Sequence, residues 1–176
     1  MSLNFNINSI PAKLLKDDLS AMEVEAFVFY ARKDLVLGAG YGTAISTRGG
    51  PTIKAELDKI GGAKTSDAVL TKAGELKAKH IIHAIGPEFQ EPDLKNKLLN
   101  TIENTLKCAD ENGIKQIAFP LMGTGFYGIP LDVCSSIMIE SFTKYLTNST
   151  GIQEIIICAN DNREYNAFSN ILENKG

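Results

Sequence analysis

Three short apolar runs in the second half of the chain, at His80 to Ile85, Gln116 to Phe119 and Glu154 to Cys158, are separated by two long stretches of helical periodicity. This alternation constrains the fold more than any other feature of the sequence. Leu94, Leu98, Leu99, Ile102, Leu106 and Ala109 recur three or four residues apart and stop before Gly113, a natural C-terminal breaker. Val133, Ile137, Met138, Phe142, Tyr145 and Leu146 repeat the arrangement after Pro130, and a last helix spans about Asn162 to Leu172. A β-α-β-α-β-α order joins its strands by right-handed crossovers, which makes the strands parallel and covers both sheet faces with helices.

The first half supplies the remaining layers. Ala26-Phe27-Val28-Phe29-Tyr30 is continuously apolar and rich in β formers, the pattern of a central strand buried on both faces. Another strand is expected at Ala68 to Thr71, and a helix from about Pro51 to Ile60 that ends at Gly61-Gly62. Near the start, Leu3, Phe5 and Ile7 alternate with Asn4, Asn6 and Asn8, a half-buried strand ended by Pro11, with a second short strand at Lys13 to Lys16. Both read as antiparallel or edge elements. The expected fold is α/β: a three-layer α/β/α sandwich with a mixed, largely parallel central sheet, in one domain over residues 1–176. A domain of this length buries roughly 70% of its unfolded surface, so neither disulfides nor a structural metal are required.

Eighteen basic against twenty-one acidic residues leave a net charge of −3, which disfavours general nucleic-acid binding through phosphate attraction. Cys108, Cys134 and Cys158 are odd in number, widely spaced and set in apolar segments, so they read as reduced core residues. The segment MSLNFNINSI has neither a basic nor an apolar region of a secretory signal, and no apolar run reaches the length of a membrane span. A cytoplasmic protein is expected. His80 and His83 lie three apart on a strand pattern and so face opposite ways, which makes them a poor metal pair. No metal and no cofactor are expected. Asp132 reads as a first-turn helix charge, and Glu164 with Arg163 as a solvated helix face.

Two loops at expected sheet ends are rich in glycine. Leu37-Gly38-Ala39-Gly40-Tyr41-Gly42-Thr43 follows the central strand, and Met122-Gly123-Thr124-Gly125-Phe126-Tyr127-Gly128-Ile129-Pro130 follows the strand at Gln116 to Phe119. Each leads into a helical pattern. Glycine lets backbone N–H groups turn toward an anion, and a helix N-terminus adds partial positive charge. Two such cradles facing one cleft suit a pyrophosphate. The glycine spacing is G-x-G-x-G and departs from the G-x-G-x-x-G dinucleotide fingerprint, which argues against a Rossmann dehydrogenase.

Asp18-Leu19, Val24 to Val28, Gly38-Ala39-Gly40, Ile81-Ile82-His83-Ala84-Ile85-Gly86-Pro87, Ile117-Ala118-Phe119-Pro120 and Gly123-Thr124-Gly125-Phe126-Tyr127-Gly128 follow one another in an order and spacing that resembles the macro domain, which binds ADP-ribose. The resemblance covers nearly the whole chain, and its most specific part is Ile-Ala-Phe-Pro followed by Gly-x-Gly-Phe-Tyr-Gly. It implies that Asp18 accepts a hydrogen bond from the adenine amine, with the Leu19 backbone nearby. It places Gly38, Ala39, Gly40, Tyr41 and Gly42 around the distal ribose and one phosphate. Gly123, Thr124 and Gly125 would cradle phosphate, with Phe126 and Tyr127 against the diphosphate and distal ribose. Asn160 stands where relatives often place an aromatic that packs on adenine.

The sequence departs from the hydrolytic branch of that family at two places. That branch carries Asn-Ala-Ala-Asn after its buried strand and an Asp shortly after the loop glycines, whereas this chain has Phe29-Tyr30-Ala31-Arg32 and Gly42. Arg32 is the remaining catalytic candidate, through a guanidinium that donates in a fixed fork. The expected function is binding of ADP-ribose or a derivative, either free or attached to a partner protein. The alternative is a hydrolase that acts on an ADP-ribosyl ester, O-acetyl-ADP-ribose or ADP-ribose 1''-phosphate.

Overall fold

The apolar run at residues 26–30 forms β3 (Ala26–Tyr30), and all five residues are buried. Ala26, Val28 and Tyr30 enter one hydrophobic cluster while Phe27 and Phe29 enter another, because successive side chains of a strand leave opposite faces. That is why the run shows no polar alternation. The computed structural model describes residues 1–175, apart from the side chains of Phe126 and Lys175.

Seven strands form one sheet in the order β1-β2-β7-β6-β3-β5-β4. They are β1 (Ser2–Ile7), β2 (Ile10–Lys16), β3, β4 (Ala68–Lys72), β5 (His80–Ala84), β6 (Gln116–Phe119) and β7 (Glu154–Ala159). The pairs β2–β7, β7–β6, β6–β3 and β3–β5 are parallel, and the two outer pairs are antiparallel. One face is covered by α3 (Leu94–Glu111), α4 (Leu131–Tyr145) and α5 (Asn162–Lys175), the other by α1 (Tyr41–Gly49) and α2 (Pro51–Ile60). This is the expected α/β/α sandwich with a mixed, largely parallel sheet. Fully buried Leu98, Ile102 and Leu106 of α3 and Ile53 of α2 show the apolar stripes that seat the helices, each worth about 1.5–3 kcal/mol of burial.

One expectation near the N-terminus is corrected. Pro11 does not separate two strands but lies inside β2, opposite Asn6 of β1. The strand is antiparallel to β1, as one of the two expected alternatives had it, and runs between β1 and β7. Its ladder with β7 starts only at Ala12↔Ile155, so the N–H that proline lacks is not needed on that side.

His83 is fully buried on β5, its ring edge-on to Phe29 at 6.0 Å and its Nε2 2.9 Å from Thr71 Oγ1. Among the described residues, Nδ1 has no hydrogen-bond partner. Burial pushes its pKa down to about 4, from 6.5. Between these values the unfolded chain binds a proton that the folded one refuses. The stabilisation is therefore complete above pH 6.5 and is lost as pH falls through 4, by about 3 kcal/mol over the window. Urea midpoints measured from pH 7 to pH 4 are expected to fall more steeply for the wild type than for the paired variant His83→Leu, Thr71→Val.

Candidate functional site

The carboxyl ends of β7, β6 and β3 lie side by side, and the loops that leave them enclose a cavity of about 450 Å³. This is the position at which open parallel sheets take ligands. Gly38, Ala39, Gly40 and Tyr41 line it from the first loop. Gly123, Thr124, Gly125 and Tyr127 line it from the second, and Asn160 from the loop after β7. The two glycine-rich loops therefore face one another across one cleft. Tyr41 opens α1, whose N-cap is Gly40, and among the described residues no side chain caps that end. Within its first turn the Gly42 N–H donates to the Ala39 carbonyl and the Thr43 N–H to that of Gly40, while the partial positive charge of the helix end faces the cleft.

The floor beneath the loops is aromatic. Phe29 and Tyr30 reach it from the end of β3, and the Tyr30 and Tyr127 rings lie with centroids 4.4 Å apart. The Tyr30 hydroxyl donates to the Pro87 carbonyl, and burial holds it far above the usual phenol range, so it stays protonated. Its ring occupies the space beside Gly86, where an added Cβ would come within 2.2 Å of the ring. Arg32 lines the cavity too, with its guanidinium gripped by Asp34 through Nε–Oδ1 at 3.1 Å and Nη2–Oδ2 at 2.7 Å. Asp34 Oδ1 also accepts the Val36 N–H, and that bond first, then Arg32, holds its carboxyl below the usual range.

Three of the expected site residues do not line the cavity: Asp18, Leu19 and Gly42. Asp18 caps a short 3-10 turn at Leu19–Ala21, where its Oδ1 accepts from Ser20 N and Oγ. Its Oδ2 accepts Arg48 Nη2 at 3.0 Å. The Ser20 hydroxyl first, then Arg48, keeps this carboxyl below its ordinary value, so it is ionised. The Leu19 side chain is fully buried. Gly42 sits beneath the first loop, and a Cβ there would lie 1.8 Å from the Leu37 carbonyl oxygen. The expected contact of the Phe126 side chain falls outside the described residues.

Glu164, expected on a solvated face, instead lines the cavity. Its Oε1 accepts the Asn160 N–H at 2.8 Å and its Oε2 accepts Thr124 Oγ1 at 3.2 Å, while Arg163 pairs with Asp161. The signal for this was present in Asp161-Asn-Arg-Glu164, which has the spacing of a capping box and so turns the glutamate back over the helix end. Among the described residues, no group of three or more His, Cys, Asp or Glu could hold a metal ion. The three cysteines are free. Among the described residues, no helix is long and apolar enough to cross a membrane.

The sequence profile of the macro domain matches residues 30–138, from the end of β3 through both glycine-rich loops into α4. The chain belongs to the macro domain family. A macro domain-containing protein of Caldanaerobacter subterraneus is 38% identical over 92% of this chain and 95% of its own. A protein of Pantoea vagans named O-acetyl-ADP-ribose deacetylase 1 is 30% identical over 90% of this chain and 96% of its own. The fold superposes on a macrodomain of Oceanobacillus iheyensis solved with ADPR, with a TM-score of 0.91 and 24% identity over 99% of this chain and 98% of that one. The macro domain described here has Phe29 and Tyr30 on its cleft floor.

Proposed function

We propose that this macro domain binds ADP-ribose or a derivative of it, free or protein-linked, in the cleft over the ends of β3, β6 and β7. The observation that carries the proposal is the meeting of two glycine-rich loops across one cavity of about 450 Å³. Backbone N–H groups and an uncapped helix end there suit the two adjacent charges of a diphosphate. In this reading Gly123 to Gly125 cradle phosphate, with Phe126 and Tyr127 beside it. Gly38 to Tyr41, backed by Gly42, surround the distal ribose. Asn160 and the Leu19 backbone lie toward the adenine, and Asp18 Oδ2 accepts from its exocyclic amine while it shares the Arg48 guanidinium. Arg32 donates to the distal ribose or a phosphate. The whole described chain serves as one domain, and its free cysteines suit a reducing, cytoplasmic setting.

Calorimetric titration is the direct test. ADP-ribose is expected to bind with micromolar affinity, about −8 kcal/mol, and AMP far more weakly because it fills one end of the cleft. Equal affinities for the two would overturn the diphosphate assignment. The relative named as an O-acetyl-ADP-ribose deacetylase favours a second reading, hydrolysis of an ADP-ribose derivative at the distal ribose. The cleft floor argues against fast chemistry, since Phe29 and Tyr30 bring aromatic rings where a water would need polar partners.

A further inference from the structure

Glu164 poses a problem for a cleft that takes a dianion. Its carboxylate lines the cavity, and among the described residues no Lys, Arg or His forms an ion pair with it. Its negative charge reaches the Tyr41 hydroxyl and the Cys158 thiol, which burial already holds above their usual ranges. Helix capping accounts for one oxygen only. Asp161 Oδ1 accepts the Glu164 N–H at 2.9 Å, and Glu164 Oε1 in return takes the Asn160 N–H. The other oxygen leaves the helix altogether and accepts from Thr124, which belongs to the second glycine-rich loop. Each carboxylate oxygen has room for a second donor. A ligand that brings hydrogen-bond donors can fill those places.

The two tethers, taken with the proposed placement of ADP-ribose, point to one part of the ligand. On the ADP-ribose reading Thr124 belongs to the phosphate cradle and Asn160 to the adenine end, where the Tyr41 hydroxyl approaches Asn160 Oδ1 at 3.5 Å. A group bonded to both spans the interval between diphosphate and base, and in an adenosine diphosphate that interval is the ribose. Its free 2' and 3' hydroxyls are donors. A phosphate on the 2' oxygen would replace a donor by a dianion facing a carboxylate with which, among the described residues, no Lys, Arg or His forms an ion pair.

We infer that Glu164 selects the sugar next to adenine, accepting from an unmodified ribose diol and rejecting a ribose that carries a 2'-phosphate. The inference rests on the ADP-ribose reading and names the form of ADP-ribose that the cleft takes. The experiment titrates ADP-ribose and ADP-ribose 2'-phosphate into the wild type and Glu164→Gln, with melting temperatures recorded for both proteins. The wild type is expected to prefer ADP-ribose by at least about 30-fold. In Glu164→Gln the gap should shrink to about 5-fold, chiefly because the phosphorylated ligand binds better once the repulsion is removed. A second arm needs no variant: the wild-type gap is expected to narrow as salt rises from about 50 to about 500 mM, because the repulsion is screened. Equal wild-type affinities, a gap that survives in folded Glu164→Gln, or a gap indifferent to salt would each overturn the selection by Glu164. A wild type that binds neither ligand would overturn the ADP-ribose reading itself.

Discussion

Gly125→Glu is expected to abolish ADP-ribose binding, lowering the affinity at least about 100-fold in the titration that measures it for the wild type. Gly40→Glu should do the same from the opposite loop. A Cβ added at either glycine meets no atom within 4 Å, so at these cavity-lining positions a new side chain finds open space instead of forcing the backbone apart. It brings a negative charge to the place where the diphosphate would sit, and its length fills the cradle. Both glycines have positive φ, +68° at Gly125 and +62° at Gly40, so any side chain there costs about 1–2 kcal/mol of backbone strain. The melting temperature is expected to fall by a few degrees with the fold retained. Gly125→Ala separates the two effects, since it carries the strain without the charge or the bulk and should keep most of the affinity. Normal binding by Gly125→Glu would make the second loop a simple connector.

The second large effect concerns chemistry. Release of ADP-ribose from a glutamate- or aspartate-modified protein is expected to be slow or undetectable at saturating binding. Hydrolysis at the distal ribose needs a positioned water and a group to take its proton, and general-base help is typically worth about 100- to 10,000-fold. The cleft floor offers Phe29 and a Tyr30 hydroxyl already committed to Pro87. Asp34, the nearest carboxylate to Arg32, is a weak base because Val36 N–H and Arg32 hold its carboxyl ionised. Any turnover would have to use the substrate's own diphosphate as base, with Arg32 fixing the geometry. Rapid turnover would give the hydrolase reading first place. A turnover that collapsed in Arg32→Ala while ADP-ribose affinity held would make Arg32 the catalytic residue.

The fold was legible because its signals are one-dimensional. A strand buried on both faces shows itself as Ala26 to Tyr30, and the stripe from Leu94 to Ala109 shows which side of α3 meets the sheet. Pro11 misled because its cost depends on which neighbour needs its N–H, and that is a property of strand order, not of the residue. The glycine-rich loops were legible as turns at the sheet ends, yet whether they faced each other depended on β3 and β6 being neighbours in the sheet. Glu164 was missed for a related reason. Its capping spacing was local and visible, but its bond to Thr124 crosses forty positions of sequence. Likewise nothing in the segment around Asp18 announces Arg48, thirty positions on, as the partner of its second oxygen.

The packing around Gly42 bears on what this macro domain could become. Its missing Cβ would fall 1.8 Å from a main-chain oxygen of Leu37, an atom that cannot swing aside as a side-chain tip would. No acidic residue can therefore be introduced at position 42 until the loop from Leu37 to Gly40 has first taken another path. A lineage starting from this chain, or an engineer working on it, would meet a two-step barrier in which the first step reshapes the loop without yet supplying the acid. Substitution at Phe29 alone leaves that barrier standing. The geometry of one buried glycine thus sets the order in which an acidic side chain could be installed beneath the first loop.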